Sequence, residues 1–273
     1  MKKFLSVLLA LGLAVSATAC AGGASSSSEA ASSEPEATPA AESEAATSEA
    51  AAATGEVMTY DEYMAAAVDE AVTIESCVQA KQSYYAEQGT ATVYLQDESG
   101  AYFAYDMACT QEEYDAMTEG TRIRVSGYKA EWSGEIEIMD GQLDEILEGD
   151  TYVAEPLDVT ELLGTDELES HQNEKVKFTG LTVAPSTIEG DTTEYAFLYN
   201  YDGSGTQGDD VYFNVEYNGE KYQFLVESYL CDSESEVYKA VEALEIGQTI
   251  DCEGFLYWYE GVNPHITSVT VAG

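Results

Sequence analysis

The segment GTRIRVSGYKAEWSG runs from Gly120 to Gly134 and sets its three glycines seven residues apart. The same spacing returns at Gly247, Gly254 and Gly261. Between the first two glycines of each set, apolar residues alternate with polar ones, which predicts a strand that is entered from a turn and bent at the central glycine. Each set also follows a segment with a helix-capping pattern. The repeat therefore predicts two similar small β-barrels in tandem.

A chain of 273 residues can hold two domains of about 100 residues each, together with tails. We expect a signal peptide over 1–19, a tether over 20–55, a first barrel over 56–150, a connector over 151–165 and a second barrel over 166–273.

The N-terminal segment has the composition of an export signal. Two lysines precede an apolar run that is too short for a membrane span. The run ends in Ala17-Thr-Ala-Cys20, which resembles a bacterial lipobox. That resemblance implies cleavage before Cys20 and attachment of lipid to this residue, so that the protein is a membrane-anchored lipoprotein. An ordinary signal peptide cleaved near Ala19 is the alternative.

The segment 21–55 is composed mainly of Ala, Ser, Glu, Thr and Pro, and it contains no Lys, Arg or aromatic residue. Such a composition cannot bury enough apolar surface to offset the chain entropy of folding. We therefore expect a disordered tether between the anchor and the barrels.

The first unit shows the element order of an OB-fold. A capping box at Thr110–Glu113 predicts a helix between the third and fourth strands, and a similar box at Thr59–Glu62 predicts a short helix over 63–68. Three strands, one helix and two strands is the OB order. The strands are predicted over 71–80, 91–96, 101–107, 122–128 and 135–139.

The second unit keeps this order but carries an additional strand pair. An Asn-Gly dipeptide at Asn218 predicts a hairpin, and Ser233 is the predicted cap of a helix before the last two strands. The strands are predicted over 175–183, 195–201, 211–217, 221–227, 249–258 and 264–271. The fold class is therefore mainly β, with two OB-fold-like five-stranded barrels.

Three segments of the first unit, 78–85, 102–109 and 127–134, resemble the OB-fold domain of uncharacterised Gram-positive surface lipoproteins. The resemblance covers about residues 59–140. It implies the fold and the cell-surface location, and it brings no established activity with it.

Catalytic and cofactor motifs are absent from the sequence. The two histidines, His171 and His265, are isolated, and neither a Gly-x-Ser-x-Gly elbow nor a phosphate-binding loop occurs. We therefore expect a protein that is not an enzyme and that holds no cofactor. The loop at Asp202–Asp210 begins like an EF-hand but lacks its turn glycine and its bidentate acid, so a solvated acidic turn is favoured over a calcium site.

Four cysteines follow Cys20, and their spacing fits no zinc finger. Export would permit disulfides, but Cys252 lies in phase with Ile250 on the predicted core face. This placement favours buried free thiols.

The charge of the chain argues against nucleic acid as a partner. Formal net charge is −42, and residues 57–150 carry 21 acidic against 4 basic residues. Single-strand binders need a positive groove that neutralises phosphates. We therefore expect nucleic acid to be repelled from this unit.

The candidate ligand site is predicted at the loops where OB-folds usually bind. Lys81, Tyr84, Tyr85, Lys129 and Trp132 all fall near these loops in the first unit. Flat rings beside a few polar groups suit a peptide or a glycan. The alternative is that the tyrosines and Trp132 cover the barrels and that the lysines offset neighbouring carboxylates.

These observations predict a non-enzymatic, lipid-anchored protein on the extracellular side of the cell membrane that binds a protein, peptide or glycan. Two alternatives remain open: a divalent-cation-binding envelope protein, and an OB-fold protein that binds or cleaves nucleic acid.

Overall fold

The computed structural model describes residues 55–272, which belong to one compact unit. The predicted signal peptide, the lipidated Cys20 and the tether up to residue 54 lie outside the described residues. The elements in chain order are α1 (Tyr60–Ala65), β1 (Ala71–Lys81), β2 (Thr90–Gln96), β3 (Ala101–Ala108), α2 (Gln111–Ala116), β4 (Arg122–Trp132), β5 (Glu135–Ile146), β6 (Leu157–Asp158), two 3-10 helices (Thr160–Leu162 and Asp166–His171), β7 (Lys175–Ala184), β8 (Leu198–Tyr199), β9 (Val211–Tyr217), β10 (Glu220–Val226), α3 (Glu236–Glu242), β11 (Thr249–Phe255) and β12 (His265–Val271). None of the described helices is long and apolar enough to cross a membrane.

The first five strands close into a barrel in the order β1-β2-β3-β5-β4, with β1 paired to β4. Alternate residues of each strand, such as Val93, Leu95 and Ile123, point inward and are completely buried. Both predicted capping boxes are present, at Thr59 and at Thr110. The first box starts α1 at Tyr60, three residues earlier than predicted, because the helix begins directly after its cap. This strand order is that of an OB-fold.

The second barrel repeats the order with β7, β9, β10, β12 and β11, and it closes through the β7–β9 pairing. The predicted strands 195–201, 211–217 and 221–227 are present as β8, β9 and β10, but β8 has only two residues and lies outside the barrel order. Of the predicted strand 195–201, only β8 pairs, because Asn200 adopts a left-handed conformation and Gly205 N–H donates to the Tyr199 carbonyl, which turns the chain. The hairpin β9–β10 supplies the second and third strands of the barrel itself.

The cap of α3 is Ser235 and not the predicted Ser233. The Ser235 hydroxyl accepts a hydrogen bond from Tyr238 N–H at 3.3 Å. The residues before it form a turn in which Asp232 accepts from Glu234 N–H at 3.0 Å. The predicted apolar face of this helix is buried in the core of the barrel.

The central glycine of each repeat lies at a bulge. The β4–β5 register shifts around Gly127, and the β11–β12 register shifts at Gly254. A Cβ on Gly127 would lie 2.6 Å from the Ile138 side chain and 2.9 Å from the Met139 carbonyl, and a Cβ on Gly254 would lie 2.8 Å from Ile266 Cα. Neighbouring strands approach too closely here for any side chain, so the glycines bend both barrels at equivalent positions.

Candidate functional site

The outer face of strands β2 and β3, where OB-folds usually bind ligands, is partly covered by the second barrel. Tyr94 and Phe103 point outward from these strands, yet both are buried. The Tyr94 ring stacks on Phe255 at 4.6 Å between centroids, and Phe103 meets Tyr257 edge-on at 5.3 Å. The centre of this face is therefore an interface between the barrels.

Polar contacts hold the two barrels in register. Tyr94 Oη lies 2.5 Å from Nδ1 of His265, and burial lowers the pKa of this histidine to about 3, so its ring is neutral. Trp258 N–H donates to Glu135 Oε2 at 2.8 Å, and Glu260 N–H donates to the Ser133 carbonyl at 2.7 Å. The loop that follows β11 is thereby fixed to the β4–β5 hairpin of the first barrel.

Two side-chain amides next to the second barrel's first strand complete this junction. Gln172 accepts from Ile136 N–H and donates to the Gly134 carbonyl, both at 2.8 Å. Asn173 donates to the Ile136 carbonyl at 3.0 Å. Backbone groups of the β4–β5 hairpin are given hydrogen-bond partners in this way.

Beside the interface, the uncovered part of the β2–β3 face forms a cleft of about 420 Å³. Four tyrosines line it, Tyr84, Tyr85, Tyr105 and Tyr229, together with polar side chains that include Gln82 and Gln88. We call this feature the tyrosine cleft. Of its lining residues, Asp106 alone carries a charge.

The walls of the tyrosine cleft come from both barrels. The loop after β1 carries Tyr84, whose hydroxyl donates to the Cys109 carbonyl at 3.1 Å. The second barrel contributes Tyr229, whose carbonyl accepts from Ser83 N–H at 2.7 Å. Tyr85, Tyr105 and Tyr229 are 44%, 43% and 66% exposed, so their rings are free to contact a ligand.

The two lysines of the predicted site make internal contacts. The Lys81 ammonium donates to the Tyr114 carbonyl and lies 3.8 Å from the centroid of the Tyr114 ring. Lys129 is buried, and its ammonium donates to the carbonyls of Met64 at 2.6 Å and Ala66 at 3.0 Å, at the end of α1. Burial lowers the pKa of both ammonium groups. This geometry favours a structural role for both.

The structure brings part of the predicted set together. Tyr84 and Tyr85 share the tyrosine cleft, and Lys81 shares Tyr114 with Tyr84, whose ring lies 5.4 Å from that of Tyr114. Trp132 is 59% exposed at the tip of the β4–β5 hairpin. Within residues 55–272, no hydrogen bond, ion pair or aromatic contact connects Lys129 or Trp132 to the lining of the cleft.

The other predicted features have local partners. His171 lies 3.1 Å from the Glu174 carboxylate, and the carboxylates of Asp202 and Asp209 accept from backbone N–H groups of their own loop. Cys77, Cys109, Cys231 and Cys252 are free thiols. No cluster of three or more metal-ligating side chains occurs in the part of the chain that the structure describes.

The prediction from sequence missed Tyr105 and Tyr229. Tyr105 follows the buried Ala104 in β3, and the strict alternation of that strand would have placed it outward next to Phe103. Tyr229 lies in the turn after β10, and its role depends on how the barrels pack. No local signal in the sequence marks it.

No protein-family model and no curated protein matches the sequence. Among solved structures, the Ifi202 HINa domain in complex with 20 bp dsDNA has a TM-score of 0.32 at 12% identity, covering 76% of this chain and 96% of that one. The replication protein A heterotrimer bound to ssDNA has a TM-score of 0.27 at 12% identity, covering 74% and 49%. The single-stranded DNA binding protein from Thermus aquaticus has a TM-score of 0.24 at 14% identity, covering 76% and 95%.

The fold of the chain is defined by its own strand order. Both closed barrels have the OB order, and the chain is a tandem OB-fold protein.

Proposed function

We propose that this chain is a non-enzymatic binding lipoprotein, anchored by lipid on Cys20 to the extracellular side of the cell membrane. Its ligand is a protein, peptide or glycan that binds in the tyrosine cleft. The observation that carries the proposal is the set of three exposed rings beside uncharged amides and hydroxyls. Sites of this kind bind apolar faces through the rings and fix orientation through a few polar groups.

Electrostatics argue against a polyanion in the same cleft. Its lining contains no basic residue, and the first barrel carries a large excess of acids. The solved structures that contain DNA show DNA binding by those proteins only. A phosphate backbone would need the cationic groove that the lining of this cleft lacks.

The binding test uses the chain from residue 20 onward, produced without lipid, on an array of glycans, peptides and single-stranded oligonucleotides. Once a ligand is found, Tyr105→Ala and Tyr85→Ala should each lower its affinity by at least about tenfold, which is the loss typical of hot-spot aromatics. Trp132→Ala is the matched control, because this exposed ring lies outside the cleft and its loss should leave affinity unchanged. Unchanged affinity in both tyrosine variants would place the ligand site elsewhere.

The anchor is tested separately. Cys20→Ala should move the protein from the membrane fraction to the medium. If the wild-type protein is already fully soluble outside the cell, the lipid anchor is wrong, whatever the array shows. A melting temperature that rises on addition of calcium, or turnover of DNA or RNA, would favour one of the two alternative functions.

A further inference from the structure

A second group of tyrosines lies on the second barrel, away from the lining of the tyrosine cleft. Tyr212 points outward from β9, between the buried Val211 and Phe213. The ring of Tyr201 lies 6.4 Å from the ring of Tyr212, at an interplanar angle of 77°. Tyr201 is 69% exposed, and Tyr259, at the tip of the loop after β11, is 51% exposed. The two rings thus meet edge to face, and most of the Tyr201 ring is open to solvent.

Two carboxylates flank these rings. Burial raises the pKa of Tyr212 to about 12, and the charges of Asp210 and Glu227, followed by the hydroxyls of Tyr259 and Tyr201, add to the rise. Asp210 lies two positions before Tyr212 and therefore on the same outward side of the strand. Burial, and then the charge of Asp210, raise the pKa of Glu227 to about 7, so this carboxyl is fully charged only above about pH 8. Asp210 precedes β9 and Glu227 follows β10, so the pairing of Val211 with Val226 brings them side by side.

Each carboxylate has one oxygen engaged by the backbone. Oδ1 of Asp210 accepts from Ser228 N–H at 2.8 Å and from its hydroxyl at 2.7 Å, and Oε2 of Glu227 accepts from Leu230 N–H at 2.8 Å. Within residues 55–272, the second oxygen of each has no hydrogen-bond partner, and neither carboxylate forms an ion pair. The side chains are thus held in place, with an acceptor left over on each.

This combination selects for one ligand chemistry. A cation over the faces of tyrosine rings is attracted by their quadrupoles, and carboxylates beside the rings add charge-assisted hydrogen bonds or a direct Coulomb attraction. An anion is repelled by the same groups. A bare metal ion would need the carboxylates but not the rings.

We propose that Tyr201 and Tyr212, together with Asp210 and Glu227, form a binding site for an organic ammonium cation. The site does not depend on the tyrosine cleft. Two sources share the ligand chemistry: the side chain of a lysine in a peptide, and a quaternary ammonium group of the choline type.

The probes are choline chloride and an N-acetylated lysine amide, titrated into the chain from residue 20 onward at constant ionic strength. Backbone amide resonances of β9 and of the loop after β11 report binding by NMR. Dimethylbutanol, the uncharged carbon isostere of choline, is the matched control ligand. We expect saturable shifts with at least one ammonium probe and none with dimethylbutanol. Binding of choline alone identifies a quaternary group, and binding of the lysine amide alone identifies a peptide side chain.

The variants separate the rings from the acids. Tyr201→Ala should lower the affinity for the ammonium probe by about tenfold. The variant should keep the fold, because the side chain is mostly exposed. Glu227→Gln should also lower this affinity. Tyr128→Ala, which removes an exposed ring from the first barrel, should leave the affinity unchanged. Equal shifts with dimethylbutanol, or wild-type affinity in Tyr201→Ala, would overturn the proposal. So would a response that sodium chloride alone reproduces.

Discussion

Glu135 gives the sharpest test of how the two barrels are joined. Its side chain is completely buried in the interface, where one oxygen accepts from Trp258 N–H and the other has no partner. No ion pair within residues 55–272 compensates its charge. Burial raises the pKa of Glu135 from 4.5 to about 9, and Glu137, two residues further along β5, adds to the rise. The folded protein therefore holds a proton on this side chain at neutral pH.

The size of the effect follows from proton linkage. Because the folded-state pKa lies above the unfolded one, the stabilisation is complete below pH 4.5 and is lost as pH rises towards 9. Each pH unit in this window costs about 1.4 kcal/mol of unfolding free energy, so the ionisation of Glu135 should by itself cost about 3 kcal/mol between pH 5.5 and pH 8. Burial also raises the pKa values of Glu137 and Glu227 to about 7 and lowers that of His265 to about 3, and these groups titrate in the wild type and in the variant alike. Glu135→Gln keeps an acceptor for Trp258 N–H but does not titrate. The variant should therefore gain about 3 kcal/mol relative to the wild type over the same interval.

Urea unfolding at a series of pH values measures this difference. In a Trp132→Phe background, the fluorescence of Trp258 reports the interface directly, because its indole packs against Gly134. The series should stay above pH 5. Below that value, the exposed carboxylates of Glu62, Asp191 and Asp202, whose pKa values are lowered by hydrogen bonds from Thr59, Thr193 and Ser204, lose their own contribution to stability with the opposite sign.

Glu131→Gln is the matched control, since it removes an exposed carboxylate from the neighbouring strand and should leave the pH profile unchanged. Parallel profiles for the wild type and Glu135→Gln would refute the reasoning, because they would mean that Glu135 is ionised in the folded state. If the variant unfolds too readily for equilibrium measurement, hydrogen exchange at the Trp258 amide of the wild type, followed across the same pH series, provides the same test.

For three further substitutions we expect defined changes in the stability of the first barrel. Gly127→Val should destabilise the first barrel by about 1–3 kcal/mol in thermal melts, because its side chain meets strand β5, while Gly141→Ala, which makes only ordinary contacts, should be mild. Lys129→Met should cost about 1–3 kcal/mol and speed hydrogen exchange in α1, because it removes the charged donor to the carbonyls of Met64 and Ala66. Trp132→Ala should change the unfolding free energy by no more than about 0.5 kcal/mol, because the ring is mostly exposed. A large loss there would mean that Trp132 caps the barrel.

The barrels themselves could be predicted because their signals are local. The glycine at the centre of each repeat marks a bulge whatever surrounds it, as Gly127 and Gly254 show. The capping boxes at Thr59 and Thr110 form within four residues of chain, so their spacing is enough to place them. The mistaken cap of α3 has the same origin, since Ser233 and Ser235 have nearly equivalent local patterns and only the path of the preceding turn separates them.

The candidate site could be predicted only in part, because it depends on contacts between distant segments. The usual position of OB ligand loops predicts Tyr84 and Tyr85 as site residues, and both line the tyrosine cleft. The scarcity of basic residues also predicts Lys129 as a ligand-binding residue. In the structure, its partners are carbonyls at the end of α1, which lie 63 and 65 positions away in sequence. Tyr94 is buried only because a second barrel packs on it, and neither alternation nor composition indicates which surfaces of two barrels will meet.

The position of Tyr229 has a thermodynamic consequence. The tyrosine cleft has walls on both barrels, so a ligand that contacts Tyr229 and Tyr105 together binds only the docked arrangement. Such a ligand stabilises docking by a free energy that grows with the logarithm of its concentration. The coupling is reciprocal, so a change in the interface that loosens docking must lower the affinity for the ligand by the same factor. Because the two barrels share one cleft in this way, the stability of their interface sets part of the affinity for any ligand that contacts both.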